Sequence, residues 1–434
     1  MRLTLLHTND LHGQVDALGR VATLVAEIRE STPHRVIYVD AGDVEETTTR
    51  LSNLTKGVAM HRLLSAAGCE VACVGNAAWL RYGPQVVAEQ AAAASYPLLL
   101  ANLAPVEGAV PSALVGGVGF IGVTDPFRSF LDSFDYGIEP LDEAEVVRTH
   151  THALRTQGAE VVVVLSHLGL SGGERTAAGV DDRQLAGALN GEIDVIIGAH
   201  THQLLPQGER IGEVLVTQAG EHGQHLGRIE IDGTSIEASV IPVPEDTPPA
   251  LAVVQAALEA EAALDVSLDE ILAVLDVPLD AQWIAEMLRE RMDAEVGLVT
   301  TQVALDRPLP PGPLRRGDLW EVCHSTANPA FVELSGDRLR HMLTLGNDPE
   351  FRESTAGPLR GVPRGPLCVS GDVSVDPART YCVAATDFEL ESYGGLVQED
   401  WELSVRYDFP TIIREAVEER LAAQGERKAT DAAS

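Results

Sequence analysis

From residue 3 to residue 231 the chain alternates short apolar runs with amphipathic stretches, and this pattern limits the folds open to it more than any other feature. The apolar runs fall at 3–6, 36–39, 71–74, 97–101, 161–165 and 195–197. Between them, 18–29, 56–67, 83–94, 145–157 and 182–189 carry helical periodicity. Runs too short for helices, flanked by amphipathic helices, predict a layered α/β domain with strands buried under helices. Segments 214–218 and 226–231 add further β structure. The texture changes near residue 240, where Pro242, Pro244, Pro248 and Pro249 stand among acidic residues. A helix at 252–264 follows. The expected organisation is a first domain at 1–240, a linker with a connecting helix at 241–267, a second, smaller α/β domain at 268–424 and a disordered polar tail at 425–434.

Composition excludes several classes of function. The 434 residues carry 31 Lys and Arg against 65 Asp and Glu, a formal charge of −34. Such a surface repels phosphate backbones and anionic lipid, so neither nucleic acid nor a membrane surface is expected as partner. The apolar share of 45% is too high for a disordered chain and supplies two cores. No apolar run is long enough to span a bilayer. The N-terminal apolar run stops at His7, short of a signal-peptide core, so the chain as written reads as cytoplasmic. Five scattered cysteines, Cys69, Cys73, Cys323, Cys368 and Cys382, form neither a disulfide framework nor a zinc knuckle.

Five short segments carry chemistry, and each follows an apolar run. They are Asp10-Leu11-His12, Gly42-Asp43, Gly75-Asn76, Ser166-His167 and Gly198-Ala199-His200-Thr201-His202. In an α/β sheet the ends of strands converge on one edge, where sites assemble. Taken alone, each segment reads as a turn or a cap. Pooled, they offer oxygen and imidazole ligands suited to zinc, manganese or iron, in a number that exceeds one tetrahedral ion. Two divalent ions are the economical expectation. Other motifs are read as structural. Gly117-Val118-Gly119-Phe120-Ile121-Gly122 matches a dinucleotide fingerprint but runs into an apolar strand, so a hairpin is expected. His150 and His152 lie two apart on a helix, where they do not share a face. Glu45-Glu46 reads as a polar loop.

The ordered set resembles the calcineurin-like metallophosphoesterases. His7-Thr8-Asn9-Asp10-Leu11-His12-Gly13, Asp40-Ala41-Gly42-Asp43, Ser166-His167-Leu168-Gly169 and His200-Thr201-His202-Gln203 narrow it to the two-domain 5'-nucleotidase branch. Gly317-Asp318-Leu319-Trp320-Glu321-Val322 and Val332-Glu333-Leu334-Ser335-Gly336 look like landmarks of that branch's second domain. The resemblance implies a four-layer αββα sandwich with a smaller C-terminal α/β domain. It implies that Asp10, His12 and His202 hold one ion, that Asn76, His167 and His200 hold the other, and that Asp43 bridges them. A hydroxide between the ions would attack a phosphate ester, a nucleotide or a related small molecule. Relatives of this kind are often exported.

The chain departs from the family in two places. The family's Gly-Asn-His-Glu reads Gly75-Asn76-Ala77-Ala78 here, and the Asp that partners the missing His is Leu80. Loss of the acid is expected to cost roughly 10²–10⁴ in rate, most for poor leaving groups. His222 is the candidate substitute. The family's phosphate-binding Arg falls on Leu305. Arg360 and Arg364 are candidate replacements, and Phe388 and Tyr393 are candidates for stacking a nucleobase. Two functions stay open: a metal-dependent phosphoesterase with weakened general-acid catalysis, and a metal-binding member of the family that has lost turnover and serves as scaffold or sensor.

Overall fold

The computed structural model describes residues 1–126, 136–172, 179–264, 266–355, 362–371, 374–392 and 394–433, with backbone alone at 78 and 425–433. The chain divides into two compact units, Met1–Leu264 and Asp265–Ser434.

Two six-stranded mixed sheets build the first unit. One runs in the order Ser235–Pro242, His225–Asp232, Arg2–Thr8, Arg35–Asp40, Val71–Cys73, Leu98–Leu99. The other runs Glu209–Ile211, Val214–Thr217, Val195–Ile197, Val161–His167, Val118–Thr124, Ser112–Val115. In the first sheet Arg2–Thr8 through Leu98–Leu99 are parallel and the two strands at the other side are antiparallel; in the second, four parallel strands are closed at both edges by antiparallel ones. Leu3, Leu5, Ile37 and Val39 of the first sheet meet Phe120, Val163, Leu165 and Ile197 of the second in one buried cluster. The outer faces bury Leu6 and Tyr38 under the helices Val15–Ser31 and Val58–Ala66, and Val162 and Val164 under Glu143–Thr156 and Asp182–Ala188. The unit is thus a four-layer αββα stack. Strands buried on both faces explain why Val161–His167 lacks polar alternation.

The glycine-rich segment forms an antiparallel hairpin of Ser112–Val115 and Val118–Thr124, as the apolar run requires. The proline-rich segment, expected as a linker leading into a connecting helix, is tied to the first unit. Thr23 Oγ1 donates to Pro248 O at 2.7 Å and Ala250 N to Gly19 O at 2.9 Å. The following helix, Leu251–Ala262, buries Val253 and Ala260 in the core of the first unit. Its Ala-rich face is narrow enough to lie across two helices, which composition alone does not reveal.

In the second unit a five-stranded sheet runs Leu367–Gly371, Val296–Thr300, Thr380–Thr386, Pro329–Ser335, Val405–Tyr407. The helix Ala281–Arg291, capped by the Asp280 carboxylate accepting from Trp283 N at 2.9 Å, covers one face through Ile284, Ala285 and Leu288. The last helix runs Ile413–Ala433, through the stretch expected as a disordered tail. That stretch is polar but holds Glu426, Arg427, Lys428 and Ala429, good helix formers with no proline among them.

One buried imidazole bears on stability. His7 is opposite Gly227 across the first sheet, and a Cβ on Gly227 would lie 2.0 Å from its Nε2. Neither ring nitrogen of His7 has a hydrogen-bond partner among the described residues. Burial drives its pKa from 6.5 down to about 3. Between these values the unfolded chain binds the proton and the fold does not. The stability from the neutral ring is full above pH 6.5 and is lost as pH falls through that window. His7→Gln should therefore flatten the acid limb of the stability curve, measured as the urea midpoint at successive pH values. Parallel limbs for the two proteins would refute this assignment.

Candidate metal centre

The five chemistry-bearing segments follow the C-terminal ends of five parallel strands, Arg2–Thr8, Arg35–Asp40 and Val71–Cys73 in one sheet, Val161–His167 and Val195–Ile197 in the other. The face-to-face packing of the sheets brings these ends together. Backbone conformation then aims the side chains. Among the described residues eight non-glycine positions have positive φ, and six of them are Asp10, Asp43, His12, His200, His202 and His222. Each such position costs about 1–3 kcal/mol, and that concentration at one edge marks a site rather than a set of ordinary turns.

Tight loop contacts hold the strain in place. Asp10 N donates to Gly42 O and His12 N to Asp43 O, both at 2.9 Å. Asn9 Nδ2 donates to Gly220 O at 2.6 Å, while its Oδ1 accepts from Ala219 N at 3.0 Å. Gly75 allows the closest approach. A Cβ there would stand 2.1 Å from Asp43 Oδ1, which instead accepts from Ala77 N at 2.8 Å.

Two groups of candidate ligand atoms result, Asp10–His12–His202 and Asp10–Asp43–His167. His12 Nε2 is 3.1 Å from His202 Nε2, and Asp10 Oδ1 lies 3.3 Å from His202 Nε2 and 3.8 Å from His12 Nε2. In the second group His167 Nε2 is 3.1 Å from Asp43 Oδ2 and 3.8 Å from Asp10 Oδ1. The His200 ring lies tilted beside His167, with centroids 5.3 Å apart, and its Nδ1 meets Asn76 Oδ1 at 2.9 Å. All seven residues named from the sequence therefore stand at one place. Asp10 is the carboxylate common to both groups.

The electrostatics favour cations. Burial raises the Asp10 carboxyl, but the hydrogen bond from His202 and the charges of His167, His202 and His12 hold it well below the usual carboxylate range. Asp43 is likewise raised by burial and brought to about 2, chiefly by the charge of His167. Burial lowers His167, and the charges of Asp43 and Asp10 carry it up to about 10. The buried Nε2 of His167, close to both carboxylates, makes no hydrogen bond of acceptable geometry. An imidazole nitrogen so placed, in a mixed oxygen and nitrogen set, fits a borderline divalent cation.

The family profile of the calcineurin-like phosphoesterases matches residues 3–204. The chain carries a calcineurin-like phosphoesterase domain. Among curated proteins, an uncharacterized metallophosphoesterase, YunD of Bacillus subtilis, is 27% identical over 371 residues, 79% of this chain and 77% of that protein. The snake venom 5'-nucleotidase of Crotalus adamanteus is 26% identical over 291 residues, 56% of this chain and 47% of that protein. The chain thus matches about half the length of that nucleotidase. Among solved structures, a putative 5'-nucleotidase from Staphylococcus aureus superposes with a TM-score of 0.68 at 16% identity, covering 97% of both chains. The phosphoesterase domain and the second unit together follow the 5'-nucleotidase fold.

The other candidate residues fall elsewhere. Ala77 lies at the Asp43 end of the site, and Leu80, one turn on in the helix Asn76–Tyr82, packs against the apolar core. His222 is at the opposite wing. Its N donates to Asp10 O at 2.8 Å and its ring centroid is 5.7 Å from that of His12 and 6.3 Å from that of His202. In the second unit Arg364 is fully buried over the Phe351 ring, and burial lowers its pKa against the raising charges of Glu389 and Glu391. Phe388 packs half-buried on the apolar core there, and Leu305 is part of that core. Arg360 and Tyr393 lie outside the described residues.

Sequence reading missed a buried polar chain near Asp43. Glu45, taken for part of a polar loop, is buried and accepts from His61 Nε2 at 2.6 Å, whose Nδ1 meets Tyr96 Oη at 2.9 Å. The helical spacing of His61 in an otherwise apolar stretch was the only signal for this pairing. Gly75→Ala should push Asp43 from its position and weaken manganous ion binding by about tenfold, read by titration calorimetry with the fold checked by circular dichroism. Wild-type affinity in a folded variant would show that the 75–77 turn does not hold Asp43.

Proposed function

We propose that this chain is a metal-dependent phosphoesterase acting on a small phosphate ester, nucleotides among the candidates. The observation that carries the reading is the convergence of Asp10, Asp43, His12, His167 and His202 at one edge, all but His167 in backbone-strained positions. Asn76 and His200 complete the second ligand group. Divalent ions held there would supply Lewis-acid polarisation of the phosphoryl group and of an attacking water. The chain's own part is to hold the ligands, exclude competing solvent from Asp10 and His167, and orient the ester.

At the position of the absent acid the chain supplies a methyl group. Ala77 offers its backbone N–H, already given to Asp43, and Leu80 offers no carboxylate. No side chain of residue 77 can protonate a leaving oxygen. Aryl phosphates, whose leaving oxygen needs little protonation, are therefore the favoured substrates. The second reading, a metal-binding protein without turnover, draws on this same methyl group and on Leu305 lying in the apolar core where a phosphate-binding Arg would stand.

Hydrolysis of an aryl phosphate and of AMP with manganese, measured side by side, tests both readings. Expected are aryl turnover that Asp43→Ala abolishes, and AMP turnover lower by roughly 10²–10⁴. Ala77→His should raise AMP turnover. It is a cleaner variant than Ala77→His combined with Leu80→Asp, because Leu80→Asp would set a carboxylate against the apolar core. Comparable turnover of both esters that falls in His222→Ala would transfer the acid's role to His222. No turnover of either ester, with ions bound, would leave only the non-catalytic reading.

A further inference from the structure

The two cation positions are not equivalent, and the difference lies behind the ligands. On one wing both imidazoles point Nε2 toward Asp10. Their far nitrogens face carboxylates. Glu221 sits against Nδ1 of His202, and Glu46 Oε2 is 3.6 Å from Nδ1 of His12, a charge contact without a hydrogen bond. On the other wing the far nitrogen of His167 meets a neutral backbone oxygen, Ala41 O, at 3.0 Å. An imidazole backed by a carboxylate keeps its proton on Nδ1, so its Nε2 lone pair faces the ion. It is also a stronger donor than one backed by an amide carbonyl.

Both glutamates stand in braced turns. Glu221 stands in a turn tied to the ligand loops on either side: Gly220 N donates to Gln203 O at 3.0 Å, Asn9 grips Gly220 O, and the N–H of His222 is bonded to Asp10 O. Glu46 Oε1 accepts from Thr48 N at 3.1 Å, and Glu46 N donates to Ser52 Oγ at 2.8 Å. The side chains are 30% and 21% exposed, so solvent screens their charge only in part.

We propose that Glu221, seconded by Glu46, makes the Asp10–His12–His202 position the tighter of the two cation positions. Both act as positioning residues through the imidazoles they back. The second ion, at the Asp43–His167 position, binds more weakly and loads after the first. This inference rests on the metal-site part of the proposed function and not on turnover.

Manganous ion titrated calorimetrically into the full-length, ion-stripped protein is the test. The wild type should show two classes of site, with His12→Ala removing the tighter and Asn76→Ala the weaker. Glu221→Gln should weaken the tighter class by about tenfold and leave the other unchanged, with Glu221→Asp restoring part of the loss. Glu46→Gln should weaken the same class by a smaller factor, which keeps the test open if Glu221→Gln fails to fold by circular dichroism. Two equal classes in the wild type, an unchanged tighter class in Glu221→Gln, or an equal loss in both classes would each overturn the inference while leaving the proposed function standing. A wild type that binds no ion would overturn both.

Discussion

The buried charge of Asp10 is the constraint around which this edge of the phosphoesterase domain is arranged. A carboxylate with no solvent exposure costs several kcal/mol unless its surroundings answer it. Here the His200 N–H reaches both its oxygens, at 3.1 and 3.0 Å, and Asn9 Nδ2 reaches Oδ2 at 2.8 Å. Three imidazoles stand around it. These groups come from only three segments, residues 9–12, the strand end at His167 and residues 200–202, so the two loops must close on Asp10 together with that strand end. The two sheets provide the frame: only a face-to-face pair of sheets brings strand ends from both to one place.

Much of this was legible in residue order. The strands were visible because buried parallel strands are continuous apolar runs, and the ligands were visible because each follows such a run. The hairpin at Ser112–Thr124 could be separated from a nucleotide fingerprint because the residues after its glycines suit a strand. The roles of 249–264 and of Glu45 were not legible. An Ala-rich helix looks the same free or packed, and Glu45 differs from Glu46 only in which way the turn after Asp43 rotates it. Glu221 was hidden for the same reason. Its meaning depends on the facing of His202, a property of backbone angles and not of composition.

The departures at Ala77 and Leu80 become physically coherent in the structure. Residue 77 is the second residue of the short helix Asn76–Tyr82, and its N–H already serves Asp43, so the backbone contact survives the change of side chain. Residue 80, one turn on, is drawn into the apolar core. The ligand scaffold and the proton donor are thus separable: the first is built from strand ends and turns, the second from two side chains on one helix. On the proposed reading, absence of the donor would leave the scaffold mechanically intact, and a ligand set could coexist with a missing acid in one chain.

The six strained ligand-loop residues set this edge of the molecule against the interests of its own fold. Asparagine or glycine would sit more comfortably at a left-handed position than histidine or aspartate does. A chain under selection for heat tolerance alone would find some of its easiest gains by erasing the centre, one residue at a time. The centre is therefore a standing internal conflict, and the presence of all six residues together reports a use that conformational comfort would not supply.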